Sequence, residues 1–270
     1  LALALVALVL FLGGPTLVRR ITKLGPGGVE LETESIRHIT SIPGAVQDAP
    51  GVEGYETAPL TGEQKWAYQM GADLIMYYDH ENLNIDDLNG TDLALYRELV
   101  RSVGELALVE GEFEYRKALY ITEHLEPIPE KTAEECFYLG EAYRMAYSDQ
   151  PVYLSRARKY LKESVKKDDG LARTHFSLAW VYYEDDRHKL AVTENERAME
   201  LEPRLADVAN WNAACSLVKL GKQDVALEKL RQIPPGNWWE KIYQDPELGD
   251  LKTGQYRTEF EALYNPPKAD

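Results

Sequence analysis

The chain has 270 residues, 44% of them apolar, a formal net charge of −15 and two cysteines, Cys136 and Cys215. The acidic balance excludes non-specific binding to nucleic acid or anionic lipid, which needs a basic surface; it keeps a domain soluble and suits a basic or polar protein partner. No CxxC pair or Cys/His ligand spacing occurs, so no disulfide framework, zinc site or other cofactor is expected.

Leu1–Val18 carries no charge. As a helix it spans about 27 Å, just short of a ~30 Å hydrocarbon core, and residues 1–18 are predicted to cross a bilayer. A secretory signal peptide has its basic residues before the apolar stretch and a small-x-small site after it. Here Arg19, Arg20 and Lys23 come after it. Basic residues on that flank favour keeping it in the cytoplasm, so the expectation is a single-pass membrane protein with its remainder cytoplasmic. Residues 19–62 read as a juxtamembrane segment and tether. Val29–Glu34 alternates apolar and acidic residues, as a short strand or an unpartnered extended piece would. Thr40–Glu63, rich in Gly, Pro, Ala and acidic residues, reads as a flexible connection that gives reach.

A helical region with a degenerate repeat is expected over 63–131. Its first helix, Glu63–Tyr78, places Trp66, Met70, Leu74 and Tyr77 on one side. Asp86–Asp92 lacks the alternating acidic spacing and closing Glu of a calcium loop; a turn at Asn89-Gly90 and a Thr91 helix cap explain it better. Thr91–Leu108 and Phe113–Leu125 form a helix pair, followed by Pro127 and Pro129. Thr132–Glu135 has capping-box spacing.

From 132 to 233 the chain repeats. Ala157, Ala191 and Ala226 are 34 and 35 residues apart and occupy one slot of three successive helix pairs. Each first helix has its own signature: Leu139-Gly140 with Tyr143, Leu178-Ala179 with Tyr182, Ala213-Ala214 with Leu217. Ala191 and Ala198 mark the inner side of the middle second helix, which Pro203 ends. Gly221 supplies the last turn. A pair this small cannot bury its own apolar face and needs neighbours.

These residues resemble the tetratricopeptide repeat (TPR) family in period and in the Leu-Gly…Tyr pattern. His175 and Asn210 depart from it, standing where the family often has Trp. The resemblance implies an all-α fold: a right-handed α-solenoid following the transmembrane helix and tether. Residues 234–270, with Trp238-Trp239, Asp245-Pro246-Glu247-Leu248, Leu251 and Phe260, resemble the unit that closes many bacterial TPR arrays. Physically, a stack of repeats leaves its last apolar face open and needs a cap.

The resemblance also implies a groove lined by the first helices. Phe176, Trp180 and Tyr183 form a stripe at i, i+4 and i+7; their counterparts are Phe137, Glu141 and Arg144 before, and Trp211, Cys215 and Val218 after. Phe137, Phe176 and Trp211 thus form an aromatic row, beside a polar row of Tyr138, Ser177 and Asn212, with Arg173 and Arg144 nearby. One reading is a site that stacks a peptide on aromatic faces and pins it with polar groups. The other is that the row is inter-repeat packing, or is covered by the C-terminal tail. The family's carboxylate-clamp chemistry is matched only by Asn212, Arg173 and Arg144, and Glu141 opposes it.

The five histidines are scattered, and no HExxH, nucleophile elbow or glycine-rich phosphate loop occurs, so no catalytic activity is expected. The expected function is a membrane-anchored adaptor that binds a protein or peptide partner. The alternatives are a homo-oligomerising assembly module, and a regulator of an enzyme or an enzyme with an unrecognised site.

Overall fold

The computed structural model describes residues 24–25, 28–29, 33–42, 60–80, 83–88, 90–109, 115–147, 150–234 and 239–264. The predicted membrane helix, Leu1–Val18, and residues 43–59 of the tether lie outside the described residues. Among the described residues, no helix is long and apolar enough to cross a membrane.

The described residues divide into two compact units, one made of those up to residue 42 and of 60–106, the other of those from 107 to 264. In the first unit, β1 (Leu24–Gly25) pairs antiparallel with β2 (Gly28–Val29). Helix α1 (Thr33–Thr40) follows. The extended piece expected over Val29–Glu34 therefore ends early, and helix begins at Thr33. The reason is Ile36 and Ile39, which recur at helical spacing and are buried with Ile42. This helix lies in the juxtamembrane segment and ends where the Thr40–Glu63 connection read from composition begins. Helix α2 (Gly62–His80) contacts α1, and its Gly71 allows a close crossing. A Cβ there would meet Val103 Cγ2 inside van der Waals contact, with Ile39 and Leu99 at 3.4 and 3.5 Å.

The acidic run that starts at Asp86 contains a 3-10 turn, Ile85–Asp87, capped by the Asn84 side chain, which accepts from Asp86 N at 3.2 Å. Helix α3 (Gly90–Val109) starts at Gly90, so Thr91 lies in its first turn rather than at the cap. The helix pair predicted as a degenerate repeat is divided between the two units, since α4 (Tyr115–Glu123) belongs to the second.

The second unit is a succession of helix hairpins. They are α5 (Ala133–Met145) with α6 (Val152–Lys167), α7 (Ala172–Glu184) with α8 (His188–Leu201), and α9 (Ala206–Lys219) with α10 (Gln223–Arg231). Each hairpin packs on the next through α6–α7 and α8–α9. The repeat slots read from sequence are the packing positions: Ala157, Ala191 and Ala226 are all fully buried. Gly140 lies against α6 so closely that a Cβ would sit 2.6 Å from Leu161 Cγ and 3.1 Å from Leu161 N.

Termini are set locally. Thr132 Oγ1 accepts from Glu135 N at 3.2 Å, and the Glu135 carboxylate accepts from Thr132 N at 2.7 Å, closing the predicted capping box. α8 stops at Leu201, before Pro203 opens a 3-10 turn. Gly221 takes φ +69° after α9, and Asp186 takes φ +55° at the equivalent place after α7.

The C-terminal segment comprises α11 (Trp239–Gln244), the 3-10 stretch Pro246–Lys252 and α12 (Arg257–Tyr264). Leu248, Leu251 and Phe260 are fully buried and share one cluster with Ala214, Ala226, Leu227 and Leu230 of the last hairpin.

Candidate functional site

Three first helices, α5, α7 and α9, carry the predicted aromatic and polar rows. Their neighbours decide what each member can do. Phe137 and Tyr138 are buried, at 0% and 1% exposure, under the Arg173 guanidinium of α7, which lies 4.6 and 5.4 Å from the two ring centres. Phe176, 5% exposed, packs in a cluster with Ala198, Leu205, Val208 and Ala209. Trp211, half-buried, donates its indole N–H to Asp245 at 2.6 Å. One rule covers all three: each aromatic is roofed by the next unit along the chain. Phe137, Tyr138 and Phe176 are therefore packing residues with no surface to offer a partner, which corrects that part of the expected site. Helical periodicity alone cannot separate such positions from a groove lining.

The next stripe position differs. Glu141, wholly buried, accepts two hydrogen bonds from Arg144, at 2.9 Å from Nε and 2.7 Å from Nη2. This is a bidentate, charge-assisted pair that fixes the guanidinium plane. Trp180, only partly buried, lies 4.9 Å from that guanidinium. Tyr147 meets the same indole edge-on at 4.9 Å, and its hydroxyl donates to Glu184 at 3.0 Å. Arg144, Tyr147 and Glu184 thus hold the Trp180 ring as a rigid platform. No hydrogen bond from the Trp180 indole N–H occurs among the described residues. Sequence reasoning missed Tyr147 because it falls in the extra residues after α5, outside the repeat register.

Beyond Trp180 the face is occupied by the chain itself. Tyr183 donates to Glu247 at 2.5 Å, and Lys219 forms an ion pair with the same carboxylate. Lys219 and then Tyr183, by hydrogen bonding, hold the Glu247 carboxyl below its usual range against the opposing effect of burial. Asp245 accepts from Trp211 and, at 3.4 Å, from the Cys215 thiol; its other oxygen accepts from Glu247 N at 2.8 Å. Burial first, then the Asp245 charge, push the Cys215 thiol well up. A thiol held protonated in this way is a packing group, not a nucleophile. Asn212 is half-buried beside Trp211, and among the described residues no His/Cys/Asp/Glu cluster could hold a metal ion.

A separate network ties α4 to the first hairpin. The Tyr143 hydroxyl lies 2.9 Å from Glu123 and 2.8 Å from Glu126, and accepts from Arg156 at 2.8 Å. Next to it a cavity of about 490 Å³ is lined by Arg116, Leu119, Tyr120, Glu123, Gln150 and Tyr153. It touches none of the predicted site residues.

No protein-family model matches the chain, and no curated protein matches it at a significant level. Among solved structures, one of MamA is similar at 15% identity and a TM-score of 0.47, covering 63% of this chain and 86% of that one. A thermophilic TPR protein of Thermus thermophilus is similar at 18% identity and a TM-score of 0.44, covering 75% and 91%. At these values neither assigns this chain a partner or an activity.

Proposed function

We propose that the chain is an adaptor anchored in a membrane by residues 1–18, and that its repeats hold a protein or peptide partner on the face around Trp180. The carrying observation is the Trp180 platform. A partly exposed indole is fixed by Arg144 and Tyr147, with its N–H unbonded among the described residues and Arg173 on the same helix. Rigid aromatic surface costs little ordering entropy on binding and suits an extended or helical peptide that brings an apolar side chain and a backbone carbonyl. Anchoring raises the effective concentration of weak partners, so affinity need not be high. Arg19, Arg20 and Lys23 favour a cytoplasmic repeat domain.

The test is cross-linking in native membranes with the full chain, wild type beside Trp180→Ala, after both are found to melt alike. A partner held by the wild type and lost by the variant is the expected result. Equal recovery would move the binding face elsewhere; no partner at all would sink the adaptor reading. Extraction of those membranes with alkaline carbonate should leave the chain in the pellet, and its release would overturn the anchor.

A further inference from the structure

Helix α4 has two faces. Ala118, Ile121 and Thr122 on one are fully buried, where α4 packs on α5. The other carries Arg116, Leu119, Tyr120 and Glu123 at i, i+3, i+4 and i+7. These four line the cavity of about 490 Å³, together with Gln150 and Tyr153 at the entry to α6. Its size falls in the range of small-molecule sites. The two ends of the lining differ in charge, since Arg116 and Glu123 stand two turns apart, about 10 Å along the helix axis. The rings that line the space between are braced from behind: Tyr120 meets His124 edge-on at 5.0 Å, and Tyr153 meets Tyr143 at 5.4 Å.

Glu123 is held in place yet keeps capacity to accept. The Tyr143 hydroxyl is 2.9 Å from it and 2.8 Å from Glu126, and Tyr160 also donates to Glu126, at 2.9 Å. Burial first, then the Glu126 and Glu123 hydrogen bonds, raise the Tyr143 pKa, so this hydroxyl stays a donor. Its one proton serves one carboxylate at a time. Arg156 lies 3.8 and 3.9 Å from the two carboxylates but donates to Tyr143, at 2.8 Å. A carboxylate offers about four acceptor positions, and these contacts leave most of those on Glu123 to the cavity.

A fixed carboxylate beside phenol rings suits an ammonium or guanidinium group. Arg116 at the other end suits an anion and repels a second cation. A neutral amino acid carries both charges on one carbon and cannot reach both ends. A dicarboxylate meets Glu123 with like charge. A lysine or arginine places its cation at the tip of a long aliphatic stem, well away from its carboxylate.

We infer that this cavity binds a basic amino acid with a free α-carboxylate, its side-chain cation on Glu123 beside Tyr120 and Tyr153 and its carboxylate on Arg116. That group comes either as free arginine or lysine or as the last residue of a peptide chain. The inference stands apart from the Trp180 face.

Calorimetric titration of the full chain tests it, with L-arginine, L-lysine, L-argininamide and the tripeptide Gly-Gly-Arg as probes. Wild type is compared with Glu123→Gln and Arg116→Met, after melts of all three. Saturable binding of L-arginine or L-lysine is expected, with L-argininamide at least about tenfold weaker than L-arginine for want of the carboxylate. Arg116→Met should close that gap, and Glu123→Gln should weaken both ligands. If Glu123→Gln also melts lower, Arg116→Met, an exposed position, still decides. Tighter binding of Gly-Gly-Arg than of L-arginine assigns the site to a chain terminus; weaker binding assigns it to the free amino acid. No saturable binding of L-arginine, L-lysine or the tripeptide would overturn the proposal, as would equal affinity for L-arginine and L-argininamide in the wild type.

Discussion

Tyr183 on α7 donates its hydroxyl proton to Glu247, 64 residues further along the chain, at 2.5 Å. The contact joins the middle repeat directly to the C-terminal segment, passing over α9. Tyr183→Phe should cost about 0.5–1.5 kcal/mol in denaturant unfolding, as loss of one hydrogen bond does. The acid limb should change as well. Glu247 titrates below its ordinary 4.5 in the folded state because Lys219 and Tyr183 stabilise the carboxylate. A depressed carboxyl contributes stability that is present above the unfolded value and lost as pH falls through the folded one. Glu247→Gln should therefore lower stability at neutral pH and flatten its decline below about pH 4.5. A variant with an unchanged acid limb would show that the pairing is energetically silent.

His175 carries a second, opposite pH dependence. It is 3% exposed, with Nδ1 2.6 Å from Glu194 and Nε2 3.1 Å from the Asp169 carbonyl. Both ring nitrogens face acceptors, so both donate in the imidazolium form. Burial opposes the charge, but the Glu194 and Asp169 hydrogen bonds and charges outweigh it and raise the pKa above 6.5. A raised histidine contributes stability that is complete below the unfolded value and is lost as pH rises through the folded one. Melting temperature should fall as pH rises above 6.5, and His175→Asn should remove most of that slope. Equal slopes in the two proteins would assign the dependence to other groups.

Much of the repeat frame is legible in the sequence because its signals are local. The Ala157, Ala191 and Ala226 slots, the Thr132 capping box, the stop at Pro203 and the Gly221 turn each follow from residue type and spacing. The site is less legible. Phe176 and Trp180 share one stripe, yet Leu205, Val208 and Ala209 cover the first while the second stays partly open. Which one is covered depends on the next hairpin's seating, which periodicity does not encode. The Asp245–Glu247 turn reads as a cap from its leucines, but its reach back to Tyr183 is set by tertiary packing alone. Helix α1 is hidden for a different reason: the acidic alternation before it imitates a strand.

Gly140 gives a sharp packing prediction. A Cβ at this position would meet not only the Leu161 side chain but the α6 backbone at Leu161 N. A side chain can rotate away; a helix backbone cannot move without unseating the hairpin. Gly140→Ala should cost about 1–3 kcal/mol, despite its better helix propensity. Gly249→Ala, with open space around its Cβ, should stay within about 0.5 kcal/mol and serves as the control. If Gly140→Ala were neutral, α5 and α6 would not be in contact there.

Asp186 is the place where the repeat works against its own backbone. After α7, Asp186 N donates to the Tyr183 carbonyl at 3.1 Å, and Arg187 N to that of Tyr182 at 2.8 Å. After α9, Gly221 N donates to Val218 O and Lys222 N to Leu217 O, both at 2.9 Å. The two turns are the same motif, closing a helix with one left-handed residue. Gly221 adopts that conformation freely, whereas a residue with a Cβ is strained there. The Asp186 side chain is 96% exposed and only 3.6 Å from His188 at its nearest, too loose a contact to compensate. Asp186→Gly should therefore stabilise the domain by about 0.5–1 kcal/mol, and Gly221→Asp should destabilise it by a similar amount. Thermal melts of both variants check this as a pair. Opposite shifts identify backbone strain as the cause, while a loss in both would mean that the Asp186 carboxylate itself closes the turn.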